Sequence, residues 1–158
     1  MTTSLPEKSK IRFTLDTNLL VYSVDRTEGS RHYLALDVVN RAVDADCWLT
    51  LQSLSEFYSV TRRKGVTRAD AAAQVGNWLA IFPCVAISPG AIRQALADNP
   101  AGRASYWDAL LVATAAEAGC TLVLTEDMAN GAMLGEVTVH HPFAGDNLTQ
   151  LTQELLDG

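Results

Sequence analysis

The sequence predicts a three-layer α/β/α domain with a central, mainly parallel sheet, and three observations support that fold class. Short apolar, β-branched runs alternate with segments of helical periodicity, the order that covers a parallel sheet with helices on both sides. The 158 residues match the usual size of one domain and can bury a core without disulfides or a structural metal. Neither an internal repeat nor a linker divides them.

Ile11 to Leu15 reads as the first strand because it is apolar and β-branched, and it runs straight into Asp16-Thr17-Asn18 and a second apolar stretch ending at Val24. Tyr33, Leu36, Val39 and Val43 recur at helical spacing, and Trp48 to Leu51 forms the next strand. Ser53-Leu54-Ser55-Glu56 has the form of a capping box, opening a helix that packs through Phe57, Val60 and Thr61. That helix ends near Arg62-Arg63-Lys64-Gly65, where cations complement the helix dipole and glycine permits the exit. Thr67 and Asp70 repeat the capping pattern before a helix packed through Val75, Trp78, Leu79 and Phe82, which Pro83 stops. A strand at Val85 to Ile87 follows. Ser88-Pro89 starts a helix running to about Ala97, ahead of the turn-rich Asp98-Asn99-Pro100-Ala101-Gly102. Ser105 caps a helix from Tyr106 to Ala118, ended by Gly119. Thr121 to Thr125 is a strand, Glu126 to Gly131 a turn with a short helix, and Val137 to Val139 the last strand. The main domain then spans residues 1–143. Residues 144–158 form a tail in which Leu148, Leu151 and Leu155 align as one stripe of a short amphipathic helix.

Composition narrows the function classes. Hydrophobic residues make up 48% and charged residues 19%, with no polar low-complexity tract, so the chain is a folded enzyme or binding domain. No apolar run approaches the roughly 20 residues of a membrane-spanning helix, and Met1 to Lys10 has no apolar leader core, which predicts a cytoplasmic protein with no membrane contact. Cys47, Cys84 and Cys120 are odd in number, far apart and set among apolar neighbours, and read as reduced core thiols. His32, His140 and His141 lack the spacing of a helical zinc pair and read as surface residues. A net charge of −6 and a pI near 4.9 argue against a broad basic face, so any nucleic-acid contact is local.

Four acids stand out by position. Asp16 and Asp127 follow apolar strands, and Glu56 and Asp108 lie in the first turns of helices, all places on the ligand-binding edge of a parallel α/β sheet. Each also has a structural reading: Glu56 and Asp108 as capping partners of Ser53 and Ser105, Asp16 and Asp127 as turn residues. Gathered at one edge, the four would raise one another's pKa unless a cation neutralised them. Mg²⁺ or Mn²⁺ suits that role, since either prefers oxygen ligands, keeps waters and bridges carboxylates to phosphate. Such an ion activates water and stabilises charge on a phosphodiester under attack.

The segments Phe13-Thr14-Leu15-Asp16-Thr17-Asn18-Leu19-Leu20-Val21-Tyr22, Ser55-Glu56-Phe57-Tyr58, Tyr106-Trp107-Asp108-Ala109-Leu110-Leu111-Val112-Ala113 and Leu124-Thr125-Glu126-Asp127 resemble the four signatures of VapC-type PIN domains, in matching order and at similar spacing. The resemblance spans Ile11 to Phe143. It implies a PIN-like fold and a Mg²⁺- or Mn²⁺-dependent endoribonuclease that acts as the toxin of a toxin–antitoxin pair. It also implies that Asp16, Glu56, Asp108 and Asp127 are the catalytic, metal-holding acids, with Asn18 and Thr125 as polar supports. The implied partners are RNA, a VapB-like antitoxin that carries the DNA contact, and a second copy of the chain.

Three other readings compete. A haloacid-dehalogenase phosphatase also places Asp after its first strand, but it resembles Asp-x-Asp there, and Asn18 cannot supply the second acid. A non-catalytic module could hold a cation or a basic partner, although it needs no full set of four acids. A flap nuclease requires helical additions for which this chain is too short. Among the remaining motifs, Arg62-Arg63-Lys64 reads as a dipole complement more than a phosphate site. Arg12, Arg31, Arg93 and Arg103 are candidates for a phosphate-binding rim, and Tyr106 and Trp107 read as core packing before base stacking.

Overall fold

The computed structural model describes residues 11–99 and 104–157; Met1 to Lys10, Pro100 to Arg103, where the sequence predicts a turn, and Gly158 lie outside the described residues. In chain order the elements are β1 (Phe13–Leu15), α1 (Thr17–Tyr22), a 3₁₀ turn (Arg26–Glu28), α2 (Ser30–Ala42), β2 (Leu49–Thr50), α3 (Leu51–Arg63), α4 (Arg68–Ile81) and β3 (Cys84–Val85). They continue as α5 (Pro89–Asp98), α6 (Tyr106–Glu117), β4 (Leu122–Leu124), β5 (Met133–Leu134), β6 (Val137–His140), β7 (Phe143–Ala144), β8 (Asn147–Leu148) and α7 (Gln150–Asp157).

The main sheet has the order β1-β4-β6-β5, with β1, β4 and β6 parallel and β5 antiparallel at its edge. A second parallel pair, β2 and β3, continues it beyond β1, because Trp48 N donates to Phe13 O at 3.0 Å and Phe13 bridges Cys47. β1 and β4 bury every residue, as strands covered on both faces must. The predicted α/β architecture with a mainly parallel sheet is therefore the observed one.

The larger core cluster joins Phe13 and Leu15 to Leu20 of α1, Val38 of α2, Phe57 of α3 and Trp78 of α4, with Phe57 and Trp78 edge to face at 4.7 Å. On the α6 side, Leu111 and Val112 pack on Val123, Val137 and Val139. From Ala109 to Ala115 every residue of α6 is buried, which suits a helix enclosed between the sheet and α5. The C-terminal segment joins the larger cluster through buried Leu148 of β8 and Leu156 of α7, and Arg41 of α2 donates to Gln153 Oε1 at 2.9 Å.

Local chemistry sets most helix starts: Thr67 Oγ1 accepts from Asp70 N, Ser88 Oγ from Ala91 N and Ser105 Oγ from Asp108 N. Four expectations are corrected. α3 begins two residues before Ser53, capped by Thr50, whose hydroxyl accepts from Ser53 N at 3.1 Å. Glu56 is therefore past the first turn and free of capping. α2 buries His32, Ala35, Val38, Val39 and Ala42, while Tyr33, Leu36 and Val43 are exposed, because two apolar stripes were available and the core took the one rich in alanine and valine. Glu126 to Gly131 holds no helix and leads into β5, and the β7–β8 hairpin follows β6, elements too short to show periodicity. The histidines are not simply surface residues. His32 is buried with Nδ1 2.9 Å from Tyr22 O, and His140 and His141 are half-buried and hydrogen-bonded. Cys47 and Cys120 are buried and Cys84 is half-buried, all as free thiols.

Candidate active site

The register of the sheet builds the site. Leu15 of β1 lies opposite Leu124 of β4, so Asp16 and Thr125, far apart in the chain, leave adjacent parallel strands at the same level. Asp16 N donates to Leu124 O at 3.1 Å, and Thr125 Oγ1 donates to Asp16 Oδ2 at 2.7 Å. The same hydroxyl accepts from Asp127 N at 3.0 Å, so one threonine orients both acids. Asn18 Nδ2 donates to the Asp127 carboxylate from the first turn of α1. With that donor in place, Asn18 acts as a support for an acid and not as a second acid.

Asp16 is 5% exposed. Its other oxygen accepts from Thr17 N at 2.7 Å. Burial, reinforced by the charge of Asp127 and opposed by the Thr125 and Thr17 donors, pushes its pKa up to about 7. Burial also raises Asp108, at the start of α6, with Asp127 and Glu56 adding to the effect. Glu56 is held at both oxygens: Thr17 Oγ1 donates to Oε2 at 2.9 Å and Gln52 Nε2 to Oε1 at 3.0 Å. The structure thus brings all four predicted acids to the edge formed by the C-terminal ends of β1 and β4 and the starts of α3 and α6.

Among the described residues, no three Asp, Glu, His or Cys side chains are gathered closely enough to enclose an ion alone. The donor chemistry fits a hard cation that rests on one or two carboxylates and keeps its waters. A buried carboxylate beside a second acid is what such a cation would relieve.

Sequence reasoning missed two residues here, Thr17 and Gln52. Gln52 is buried, and its Nε2 donates to Trp107 O at 2.9 Å as well as to Glu56. Neither residue type signals such a role in a sequence, because both serve equally well in ordinary helices. Tyr22 also faces this edge, its hydroxyl pKa raised by burial and by Glu126 and Glu28. Of the predicted basic rim, Arg31 reaches the edge, donating to Glu126 Oε1 at 3.0 Å. Arg12 is at the opposite end of β1, donating to Ala118 O and lying over Trp48. Arg93 is exposed on α5. Arg62 and Lys64 are committed to structure, one donating to Val66 O and the other to Asp25. Trp107 corrects the core-packing expectation: it is 61% exposed, whereas Tyr106 packs with the α5–α6 cluster.

Fold and site together define an α/β domain with an acidic edge at the C-terminal ends of two parallel strands. The chain belongs to the PIN domain family, whose model matches residues 13–129. PIN-domain proteins are nucleases and generally use divalent metal ions. In fold the chain is similar to Mycobacterium tuberculosis VapC20, described as a sarcin-ricin loop cleaving toxin, at 19% identity and TM-score 0.58, covering 80% of this chain and 98% of that one. It is also similar to a chain of VapBC2 from Rickettsia felis bound to a promoter DNA fragment, at 11% identity and TM-score 0.60, covering 82% and 98%. A chain of DNA-bound VapBC from Salmonella typhimurium matches at 14% identity and TM-score 0.60, covering 82% and 97%. No curated protein sequence matches the chain.

Proposed function

We propose that this chain is a Mg²⁺- or Mn²⁺-dependent endoribonuclease acting as the toxin of a VapBC-type toxin–antitoxin pair. The observation that carries the reading is Asp16, a buried carboxylate pushed up to about 7 beside Asp127 and pinned by Thr125. Such a group costs stability unless a cation neutralises it, and a cation there meets an RNA phosphate at the open edge.

Asp16 and Asp127 would hold the ion from the strand ends, with Asp108 in the first turn of α6 and Glu56 in the second turn of α3 as further carboxylates. Thr125, Thr17, Gln52 and Asn18 fix the carboxylates so that little reorganisation is needed when substrate binds. When bound, the ion supplies an acidified water and neutralises charge developing on the phosphate. Burial, with the charges of Asp127 and Glu56, raises the Asp108 carboxyl above its ordinary value, so it too gains from a cation at this edge.

A VapB-like antitoxin restrains the enzyme, placing a basic side chain against the acidic edge, and DNA contact belongs to that partner. The enzyme forms a homodimer and works in the cytoplasm on its own cell's RNA. Among the described residues, no helix is long and apolar enough to cross a membrane. The deciding experiment incubates the purified protein with single-stranded RNA in Mg²⁺ or in EDTA, beside Asp16→Asn. Internal cleavage in Mg²⁺ alone, absent in the variant, is the expected result; cleavage indifferent to EDTA and to the substitution removes the reading.

A further inference from the structure

Beside Glu56 lies an open groove of about 470 Å³ lined by Leu51, Gln52, Ser55, Glu56, Ile87 and Trp107. Its size is that of a small-molecule site. Leu51, Ile87 and Trp107 present apolar surface to solvent there. We propose that Trp107 is a stacking platform in this groove for one unpaired base of the RNA substrate, next to the nucleotide whose phosphate is cleaved. The inference rests on the nuclease reading and names a subsite of it.

Four observations converge on a base. Trp107 is exposed on a helix whose following residues, Ala109 to Ala115, are all buried, and its chain neighbour Asp108 belongs to the acidic edge. The indole is held: Tyr106 meets it edge to face at 5.2 Å, so the ring is ordered before a ligand arrives. The main chain that carries the indole is tied to the carboxylate as well, since the one Gln52 amide donates to both the Trp107 carbonyl O and Glu56 Oε1. Finally, the groove walls at Leu51, Ile87 and Trp107 are apolar and its lining residues carry no cation, so away from the Glu56 end it suits an uncharged base better than a phosphate. A nucleotide has that division: its phosphate goes to the metal edge and its base to the indole. The Ser55 hydroxyl, exposed on the wall, is available to the base edge.

Titration of the full chain with a short single-stranded RNA in EDTA tests this, read by tryptophan fluorescence and by an independent binding assay. Trp107→Ala should weaken binding about tenfold to a hundredfold, the range for loss of one stacked base. Trp107→Phe should remain within about threefold while losing the fluorescence change, which also shows that the fold survives. An abasic nucleotide moved along the RNA should, at one position, weaken the unaltered protein as Trp107→Ala does and weaken that variant no further. Equal affinity for Trp107→Ala, or additive losses at every abasic position, overturns the proposal. So does an Ala variant that binds RNA normally but loses a co-expressed neighbouring protein, because the groove would then belong to a protein partner. Stacking without Mg²⁺-dependent cleavage would sink the nuclease reading and leave the platform standing.

Discussion

At the residue scale, Asp16 links stability, pH and activity. Its folded pKa lies above its unfolded value of 3.8, so the stability it confers is fully present below about pH 4 and is lost as pH rises through about 7. In EDTA at pH 8, Asp16→Asn should therefore be more stable than the parent by roughly 1–3 kcal/mol, the ionisation cost less one weakened hydrogen bond. Melting curves at pH 8 and pH 4 check this, because the gain has to vanish at the lower pH. The same variant should not cleave RNA. Thr125→Val keeps the strand shape but removes the hydroxyl that bonds Asp16 and Asp127 N. It should lower metal affinity or kcat about tenfold to a hundredfold. Calorimetric Mg²⁺ titration and cleavage rates equal to the parent's would show that the threonine does not orient the acids. Asp16, Asp108 and Asp127 were legible from their places after a strand or at the opening of a helix, whereas Glu56 was singled out through a cap at Ser53 that the structure moves to Thr50. Thr17 and Gln52 were not legible, because their roles arise only where α1 and α3 meet.

At the element scale, α7 shows how a terminal segment can belong to the core. Leu148 and Leu156 are buried in the larger cluster, and Arg41 ties α2 to Gln153 and Asp157. Burying two leucines contributes about 3–6 kcal/mol, a large part of the 5–15 kcal/mol that holds a typical domain. Truncation after Phe143 should thus lower the melting temperature by 10 °C or more, on the order expected for such a loss. An unchanged melting curve would mean that the helix adds nothing to the fold. The elements that were misread failed for one physical reason: local pattern permitted two answers. Ser53 and Thr50 are both acceptable caps, and packing of Ser53 into the buried start of α3 selected Thr50. The helix Ser30–Ala42 carries two apolar stripes, and only packing into the larger core cluster chose between them.

At the scale of the whole molecule, metal binding should stabilise the fold. A ligand that binds only the folded state adds about 2.7 kcal/mol at a hundredfold excess over its dissociation constant. Mg²⁺ or Mn²⁺ should accordingly raise the melting temperature at pH 8 and do so less below pH 7, where Asp16 holds a proton. A melting temperature indifferent to Mg²⁺, Mn²⁺ and EDTA would count against the cation site. The net charge of −6 over the whole chain also predicts weak duplex binding and a preference for strands that splay a phosphate toward the metal. Comparing cleavage of a single strand with its perfect duplex checks this. The amino-acid sequence by itself determined the order of the larger strands and helices, the capped starts of α4, α5 and α6 and the placement of Asp16, Asp108 and Asp127 at strand ends and a helix beginning. Those features depend on hydrophobic period and capping chemistry within a few neighbouring residues. Tertiary structure alone decided that Leu15 pairs with Leu124, which sets Asp16 against Thr125, and that Trp107 faces water while Tyr106 packs inward. Register and facing are settled by contacts between segments distant in the chain, where burial energy, not local preference, chooses between arrangements that the sequence leaves equal.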